Sequence, residues 1–320
     1  MGNCCNRTPL EEEVKKAPGG QRDAVVLQQN DNHQSGLRPA EHRQEPVHAP
    51  QLAPPKAEDS ARGASDTHSP KFALPVQYMN PVASEARKKQ DALGPFDFNH
   101  VPLRRDITTV ELGPFRYPNG DTYKGHYYCG LRHGPGTLIT SNGALYEGFW
   151  ENDRGSGRVR HISPEGIIYT GEWANDQING HGKELDTEGN EYIGQFTNGL
   201  KQGKGILKKN NSETYDGEFF RDLYQGRGKL TLRNGSTFDG SWKAGQMHGT
   251  GTYVWSNGHK YIGSYVNGLK EGYGEFYWPD GSNYKGTWKA GEQHGEGNFT
   301  EPDGTTKKGI WSKGEFEKWI

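Results

Sequence analysis

From Tyr123 to its C-terminus the chain repeats every 23 residues, and this period limits what it can fold into more than any other feature. The leading position reads Tyr123, Tyr146, Tyr169, Tyr192, Tyr215, Phe238, Tyr261 and Tyr284, with Lys307 opening a partial ninth copy. Two residues on stands a glycine each time, from Gly125 to Gly309. Four residues on stands a second ring: Tyr127, Trp150, Trp173, Phe196, Phe219, Trp242, Tyr265, Trp288 and Trp311. Offsets 0, 2 and 4 share one face of an extended strand, so each lead segment reads as a strand with two rings flanking a glycine. The 46 glycines among 320 residues therefore belong to a repeat. Collagen would place glycine at every third position, and a low-complexity chain would lack the 8 Trp, 16 Tyr and 12 Phe found here.

Each copy continues with a loop at Gly130, Gly199, Gly245, Gly268 or Gly291, where Asp153, Asp176 or Asp222 stands in some copies. A Gly-x-Gly pair follows, as in Gly134/Gly136 and Gly249/Gly251, and is expected to open a second short strand such as 137–140. That strand ends at Asn142-Gly143, Asn234-Gly235, Asn257-Gly258, Asp280-Gly281 or Asp303-Gly304, which predicts type I′ hairpin turns. The fold expected is all-β: an elongated single-layer array of antiparallel hairpins, since one hairpin alone is marginal and stacking shares the apolar face. Two copies depart from the pattern. The glycine pair of the second reads two places early, at Gly155 and Gly157, and the fourth has Asn210-Asn211-Ser212 in place of the turn glycine. Irregularity is expected at both.

The string from Phe238 through Gly240, Trp242, Gly245 and Gly249 to Gly251 resembles the MORN repeat (membrane occupation and recognition nexus), and the resemblance runs over about 115–314. It implies a β-hairpin array serving as a scaffold or lipid-contacting module. It also implies that enzymes of this family owe catalysis to an additional domain, for which the nine residues after 311 leave no room, so no enzymatic activity and no cofactor are expected. Secreted choline- or glucan-binding repeats, also rich in rings and glycine, are disfavoured by the 23-residue register and by the absence of an apolar leader in the first 30 residues.

Three parts are expected: a lipidation motif over 1–10, a disordered linker over 11–110, and a repeat rod over 111–320 with eight full copies from Tyr123 and a partial ninth. Gly2 after the initiator Met is the acceptor position for myristoylation, although Asn6 stands where Ser or Thr is usual. Cys4 and Cys5 are candidate palmitoylation sites. One myristoyl chain binds a bilayer only weakly, on the order of 10⁴ M⁻¹, so a second signal is required, and the acidic 11–13 stretch makes that signal acyl rather than electrostatic. The three cysteines, two of them adjacent, form no disulfide framework. Within the Pro-, Gln- and Ala-rich linker, 83–93 can form a short helix, 72–79 is a more apolar patch, and 104–112 is a candidate capping strand.

The rings at Tyr123, Tyr127, Tyr146, Trp150, Tyr169, Trp173, Tyr192, Phe196, Tyr215, Phe219, Phe238, Trp242, Tyr261, Tyr265, Tyr284, Trp288 and Trp311 form the candidate partner-binding face. A single-layer sheet should leave part of such a stripe open to a helical or extended peptide. Free edges of the rod can also pair between copies. Residues 111–320 carry 24 Lys and Arg against 26 Asp and Glu, which disfavours nucleic acid and weakens direct attraction to anionic lipid, a lysine patch at Lys201, Lys204, Lys208 and Lys209 notwithstanding. His133, His248 and His294 read as loop residues without metal-site spacing, Cys129 as a lone thiol without a base, and Glu147, Glu172 and Glu218 as solvated-face carboxylates. The expected location is the cytoplasmic face of the plasma membrane or an endomembrane, with a cilium or cytoskeletal lattice as the alternative.

Overall fold

The computed structural model describes residues 84–98 and 108–320. Gly2, Cys4, Cys5 and the 72–79 patch lie outside the described residues. Among those described, nineteen antiparallel strands form one open sheet, from β1 (Val110–Arg116) to β19 (Glu315–Trp319), and one helix, α1 (Ser84–Leu93), precedes them. Contacts divide the chain into two units. One holds α1 and the strands through residue 208, with residues 219–222; the other holds 212–218 and 223–320.

The first copy shows how the repeat folds. Strand β2 (Thr122–Tyr128) carries Tyr123, Gly125 and Tyr127 on its buried face, with Lys124 and Tyr128 exposed on the other. Strand β3 (Leu131–Ile139) begins six residues earlier than 137, so the glycine pair sits inside it rather than at its start. The two glycines have different duties. Gly136 pairs directly with Gly125, and Tyr123 lies flat across both: a Cβ on Gly136 would stand 2.4 Å from the ring carbon Cζ. Gly134, at φ +93, takes up the extra residues where the register shifts between Gly125 and Tyr127, a bulge that L side chains resist.

The type I′ geometry expected at Asn-Gly and Asp-Gly stands instead at the other connection of each copy. The connection from β2 to β3 has two residues, Cys129 and Gly130, both at positive φ (47° and 80°), which is the type I′ geometry. Asn-Gly and Asp-Gly serve elsewhere. At Asn142-Gly143 only the glycine has positive φ (89°); its N–H donates to the Thr140 carbonyl at 2.9 Å, and Thr140 N–H donates to the Ala144 carbonyl at 3.0 Å. This is a type I turn closed by a left-handed glycine. Asn or Asp is favoured there because its side chain accepts an N–H two residues on, as Asn234 does from Ser236 (2.9 Å) and Asp303 from Thr305 (2.8 Å). In the fourth copy Asn211 takes the left-handed place itself, at φ +53.

The second copy is not shifted. Strands β4 (Leu145–Glu151) and β5 (Arg154–Ile162) keep the common register, with Gly157 (φ +72) as the bulge. Val159 pairs with Gly148 where other copies set two glycines face to face, and Gly155 stands two places ahead of the bulge. With a branched side chain beneath it, Tyr146 stacks instead on His161, at 4.4 Å between ring centres.

Helix α1 falls within the segment assigned to the linker. Glu85 lies in its first turn, Arg87 and Asp91 pair at 3.2 Å one turn apart, and Gly94 (φ +69) closes it by donating to the Gln90 carbonyl. The capping strand is β1, which begins six residues later than 104 and pairs with β2.

Candidate partner-docking surface

All seventeen rings of the predicted binding face are buried, none more than 7% exposed. The stripe is the core of the array rather than an open groove, which corrects the expectation of a partly uncovered face. Two packing devices close it. Each lead ring except Tyr146 is covered on one side by the backbone of a glycine pair, and the lead tyrosines among them donate their hydroxyl to the carbonyl three residues on, as Tyr169 does to Glu172 (2.8 Å) and Tyr192 to Gln195 (2.9 Å). In several copies the second ring then stands edge-on between two lead rings. Phe196 meets Tyr169 at 5.3 Å and Tyr192 at 5.0 Å; in the other unit, Trp288 meets Tyr261 at 5.1 Å and Tyr284 at 5.6 Å. Such edge-to-face pairs add roughly 0.5–1.5 kcal/mol each beyond their area. Burial drives the hydroxyls of the lead tyrosines well above their usual range, so they act as hydrogen-bond donors and never as phenolates.

A further position belongs to this face and is not marked by residue type. Nine residues after each lead, opposite the second ring, stand Arg132, Gly155, Ile178, Lys201, Tyr224, Met247, Lys270, Gln293 and Phe316. Except at Gly155, this position places a side chain beside the rings, as Arg132, Lys201, Tyr224 and Lys270 show. Arg132 is 1% exposed, with its guanidinium 4.3 Å from the Trp150 ring centre; its Nε donates to Asp153 Oδ1 (3.2 Å) and Nη2 to the Asp153 carbonyl (2.7 Å). Lys201 lies 5.2 Å from Tyr192 and pairs with Glu184 at 2.6 Å. Lys270 sits among four rings, at 5.0 Å from Trp255, 5.1 Å from Trp288, 5.4 Å from Phe276 and 5.5 Å from Tyr261. The spacing was available in the sequence, but because the residue type varies from copy to copy no repeated letter announced it.

The Asp residues of the first turns also serve these gaps. Asp153, Asp176 and Asp222 accept the N–H of Arg132 (2.8 Å), Gly155 (2.6 Å) and Lys201 (2.8 Å) from the preceding copy, so successive turns are tied together.

The opposite face carries the docking that is visible. Ala86 of α1, fully buried, packs on Leu145, Ile162 and Ile168, where β6 (Ile168–Ala174) joins β4 and β5. Phe98 meets Phe149 edge-on at 6.1 Å, and Arg160 lies 5.6 Å over Phe96. The Gly94 carbonyl accepts from Arg160 Nη2 (2.8 Å), and Gln90 Nε2 donates to Glu147 (3.2 Å). Glu147 is thus a buried carboxylate paired with Arg160, not a solvated one; Glu172 is exposed as expected, and accepts the His181 N–H beyond the bulge. Elsewhere this face exposes apolar side chains, including Ile193 (46%) directly opposite Ile206 (37%), and Tyr273 (61%) in the other unit. Cys129 is exposed in its turn, and among the described residues no His, Cys, Asp or Glu cluster is arranged to hold a metal.

The MORN repeat model matches residues 123–145 and then six consecutive copies from 169 to 306, just over half of the chain. The chain belongs to the MORN repeat family. The copy left unmatched, 146–168, is the one in which Gly155 and Val159 break the glycine pattern and on which α1 docks. Membership in the MORN family points to a protein-interaction or scaffold role for the array. No curated protein sequence matches the chain. Among solved structures, the TCP10 domain of Danio rerio CPAP is 11% identical over 67% of this chain and 99% of its own, with a TM-score of 0.36. The SAS-4 (dCPAP) TCP domain of Drosophila melanogaster, solved with a proline-rich motif of Ana2, is 12% identical over 67% and 94%, with a TM-score of 0.25. Likenesses at that level carry no argument for this MORN array.

Proposed function

We propose that this MORN protein is a scaffold held on the cytoplasmic face of a membrane by acyl groups on Gly2, Cys4 and Cys5, and that its array docks helical or extended segments of partner proteins. The observation that carries the docking is α1 itself: the face opposite the rings receives a helix through Ala86, Leu145, Ile162 and Ile168 and fixes it with polar contacts from Glu147 and Arg160. The ring stripe is consumed as core, so partner segments are assigned to this outer face. Anchoring is supported by the Gly2, Cys4, Cys5 sequence, in which two acyl signals give the stability one lacks. Two measurements test the two halves. Gly2→Ala is expected to move the full chain from the membrane to the soluble fraction, and unchanged membrane partition refutes the anchoring. A synthetic peptide of residues 84–98 is expected to bind saturably to full chain in which Ala86→Glu has released its own copy; no binding refutes the docking.

A further inference from the structure

Ile193 and Ile206 stand directly opposite each other on β8 (Glu191–Thr197) and β9 (Leu200–Lys208), exposed on the face away from the rings. This cross-strand pair recurs one place after each lead. In the other copies at least one member is polar, as in Lys124 with Thr137, Glu147 with Arg160, and Ile262 with Glu275. In the second copy the same two places hold a helix: Glu147 accepts from Gln90 of α1, and Arg160 donates to the Gly94 carbonyl at its end. In the fourth copy both places are aliphatic and none of the described residues covers them. The pair begins on the strand next to Leu185, which packs against the aliphatic seat of α1, so it continues a surface that already receives a helix.

The charges around the pair are a second, independent observation. The lysine patch read from the sequence divides in the structure. Lys201 turns to the rings and pairs with Glu184, and Lys209 lies past the end of β9. Lys204 and Lys208 stay on the outer face, exposed, two residues to either side of Ile206, and neither forms an ion pair among the described residues. On the other flank, Lys183 of β7 (Gln177–Leu185) stands opposite Ile193 and takes up Glu191, the carboxylate next along β8, at 2.5 Å. The aliphatic pair is therefore bracketed by cations.

We propose that Ile193 and Ile206 receive an acidic amphipathic helix of a partner protein, in which an apolar residue is flanked one turn before and one turn after by Asp or Glu. The proposal rests on the reading of the outer face as a docking surface and names the partner chemistry for one part of it. The spacing follows from the strand. Lys204 and Lys208 stand four residues apart, about 13 Å at 3.3 Å per residue. Carboxylates four places before and four places after the apolar residue share its helix face and span about 12 Å at 1.5 Å per residue. The apolar side chain then rests on the two isoleucines while the carboxylates meet the two lysines. An extended segment fits less well, because β8 is hydrogen-bonded on both sides and offers no free edge for strand addition.

A synthetic alanine-based helical peptide with Glu, Leu and Glu at successive fourth positions tests this. It is titrated into the full chain with labelled isoleucine methyl groups, the Ile193 and Ile206 resonances being assigned by their loss in Ile193→Val and Ile206→Val. The expected result is a saturable shift of both, with the Ile262 methyl unmoved. Lys204→Glu combined with Lys208→Glu should weaken binding about tenfold, because two attractive surface pairs become repulsive. Absence of a saturable shift at the two methyls overturns the proposal, as does equal binding by a peptide with Lys in place of Glu. The same shifts on concentrating the chain alone also overturn it, since the occupant is then a second copy. Binding of the 84–98 peptide at the α1 seat is read at the Ile162 and Ile168 methyls, so failure of this patch and failure of the docking reading give different results.

Discussion

Gly251→Ala is the sharpest test of how the rings are covered. Gly251 pairs with Gly240, and Phe238 lies across the two; an added Cβ would stand 2.4 Å from Phe238 Cε2 and 2.5 Å from its Cζ. The backbone there is not left-handed, so the cost is steric and falls on the ring. Phe238 is 1% exposed and edge-packed on Trp242 and Tyr265, each at 5.2 Å. Lifting it by one methyl group would uncover on the order of 100 Å² of ring and neighbours, about 2.5 kcal/mol at 25 cal/mol per Å². One or both edge contacts would be loosened as well. Replacing glycine by alanine lowers unfolded-state entropy and returns roughly 0.4–1 kcal/mol, so the net loss expected is about 2–3 kcal/mol. The comparison is Gly235→Ala, at φ +88 with nothing within 4 Å of its Cβ, where only left-handed strain of roughly 1–2 kcal/mol applies. Urea unfolding followed by tryptophan fluorescence measures both. The decisive arm is the double mutant: in a Phe238→Ala background the steric cost disappears, and Gly251→Ala should become neutral or mildly stabilising. If it costs the same 2–3 kcal/mol with the ring removed, rings laid on glycine pairs are not what the glycines are for.

Other expectations follow from the same geometry. Arg132→Ala leaves Asp153 buried without its partner and should destabilise by about 3–5 kcal/mol in urea unfolding, whereas Arg132→Met with Asp153→Asn should recover most of the loss. His161 is buried against Tyr146 and Trp173, and burial lowers its pKa from 6.5 to about 4. The folded state therefore binds fewer protons than the unfolded one between those values. Its contribution is full above pH 6.5 and is lost as pH falls toward 4, up to about 3 kcal/mol; a His161→Phe chain should show a flatter urea-midpoint profile across that window. Ala86→Glu places a carboxylate against Leu145, Ile162 and Ile168, and should raise the cleavage rate of full-length protein at Arg87, Lys88 and Lys89 by trypsin while leaving the strands resistant.

The strand spacing could be read from the residues because it is steric and local. Rings at offsets 0 and 4 around a glycine leave one arrangement, and β2 adopts it. The turn types could not be read with the same security. Asn-Gly supports either a type I′ turn or a type I turn closed by a left-handed glycine, and the dipeptide alone does not distinguish them. What decides is the other connection, where Cys129, Ala244, Ala290 and Lys313 take positive φ although their residue types resist it. The resistance is offset by capping from the preceding copy: Gln225 Oε1 accepts the Ala244 N–H at 3.0 Å, and Glu271 Oε2 accepts that of Ala290 at 2.9 Å. Those acceptors stand nearly twenty residues upstream, beyond any local signal. Burial of the whole ring stripe escaped for a related reason. It requires the lead ring to lie flat on two facing glycines, one from each strand, and the sequence shows both glycines without showing that they face each other.

The second copy joins these threads, since it departs from the pattern on both faces at once. On the outer face, Leu145, Phe149 and Ile162 with the Glu147–Arg160 pair make a seat for residues 84–98. On the ring face, Val159 displaces the lead tyrosine from its usual bed and Gly155 omits the filler. In β5 these substitutions alternate, because Val159 points to one side while Arg160 and the residues in phase with it point to the other. A copy needed only as a link in the array would gain from keeping its glycine pair and its filler, as its neighbours do. Losing them removes edge contacts and leaves the Trp173 N–H unpaired, a cost of roughly 1–3 kcal/mol. The seat for α1 accounts for the outer-face residues but touches neither Gly155 nor Val159. The ring-face changes therefore have a physical origin separate from the seat of α1.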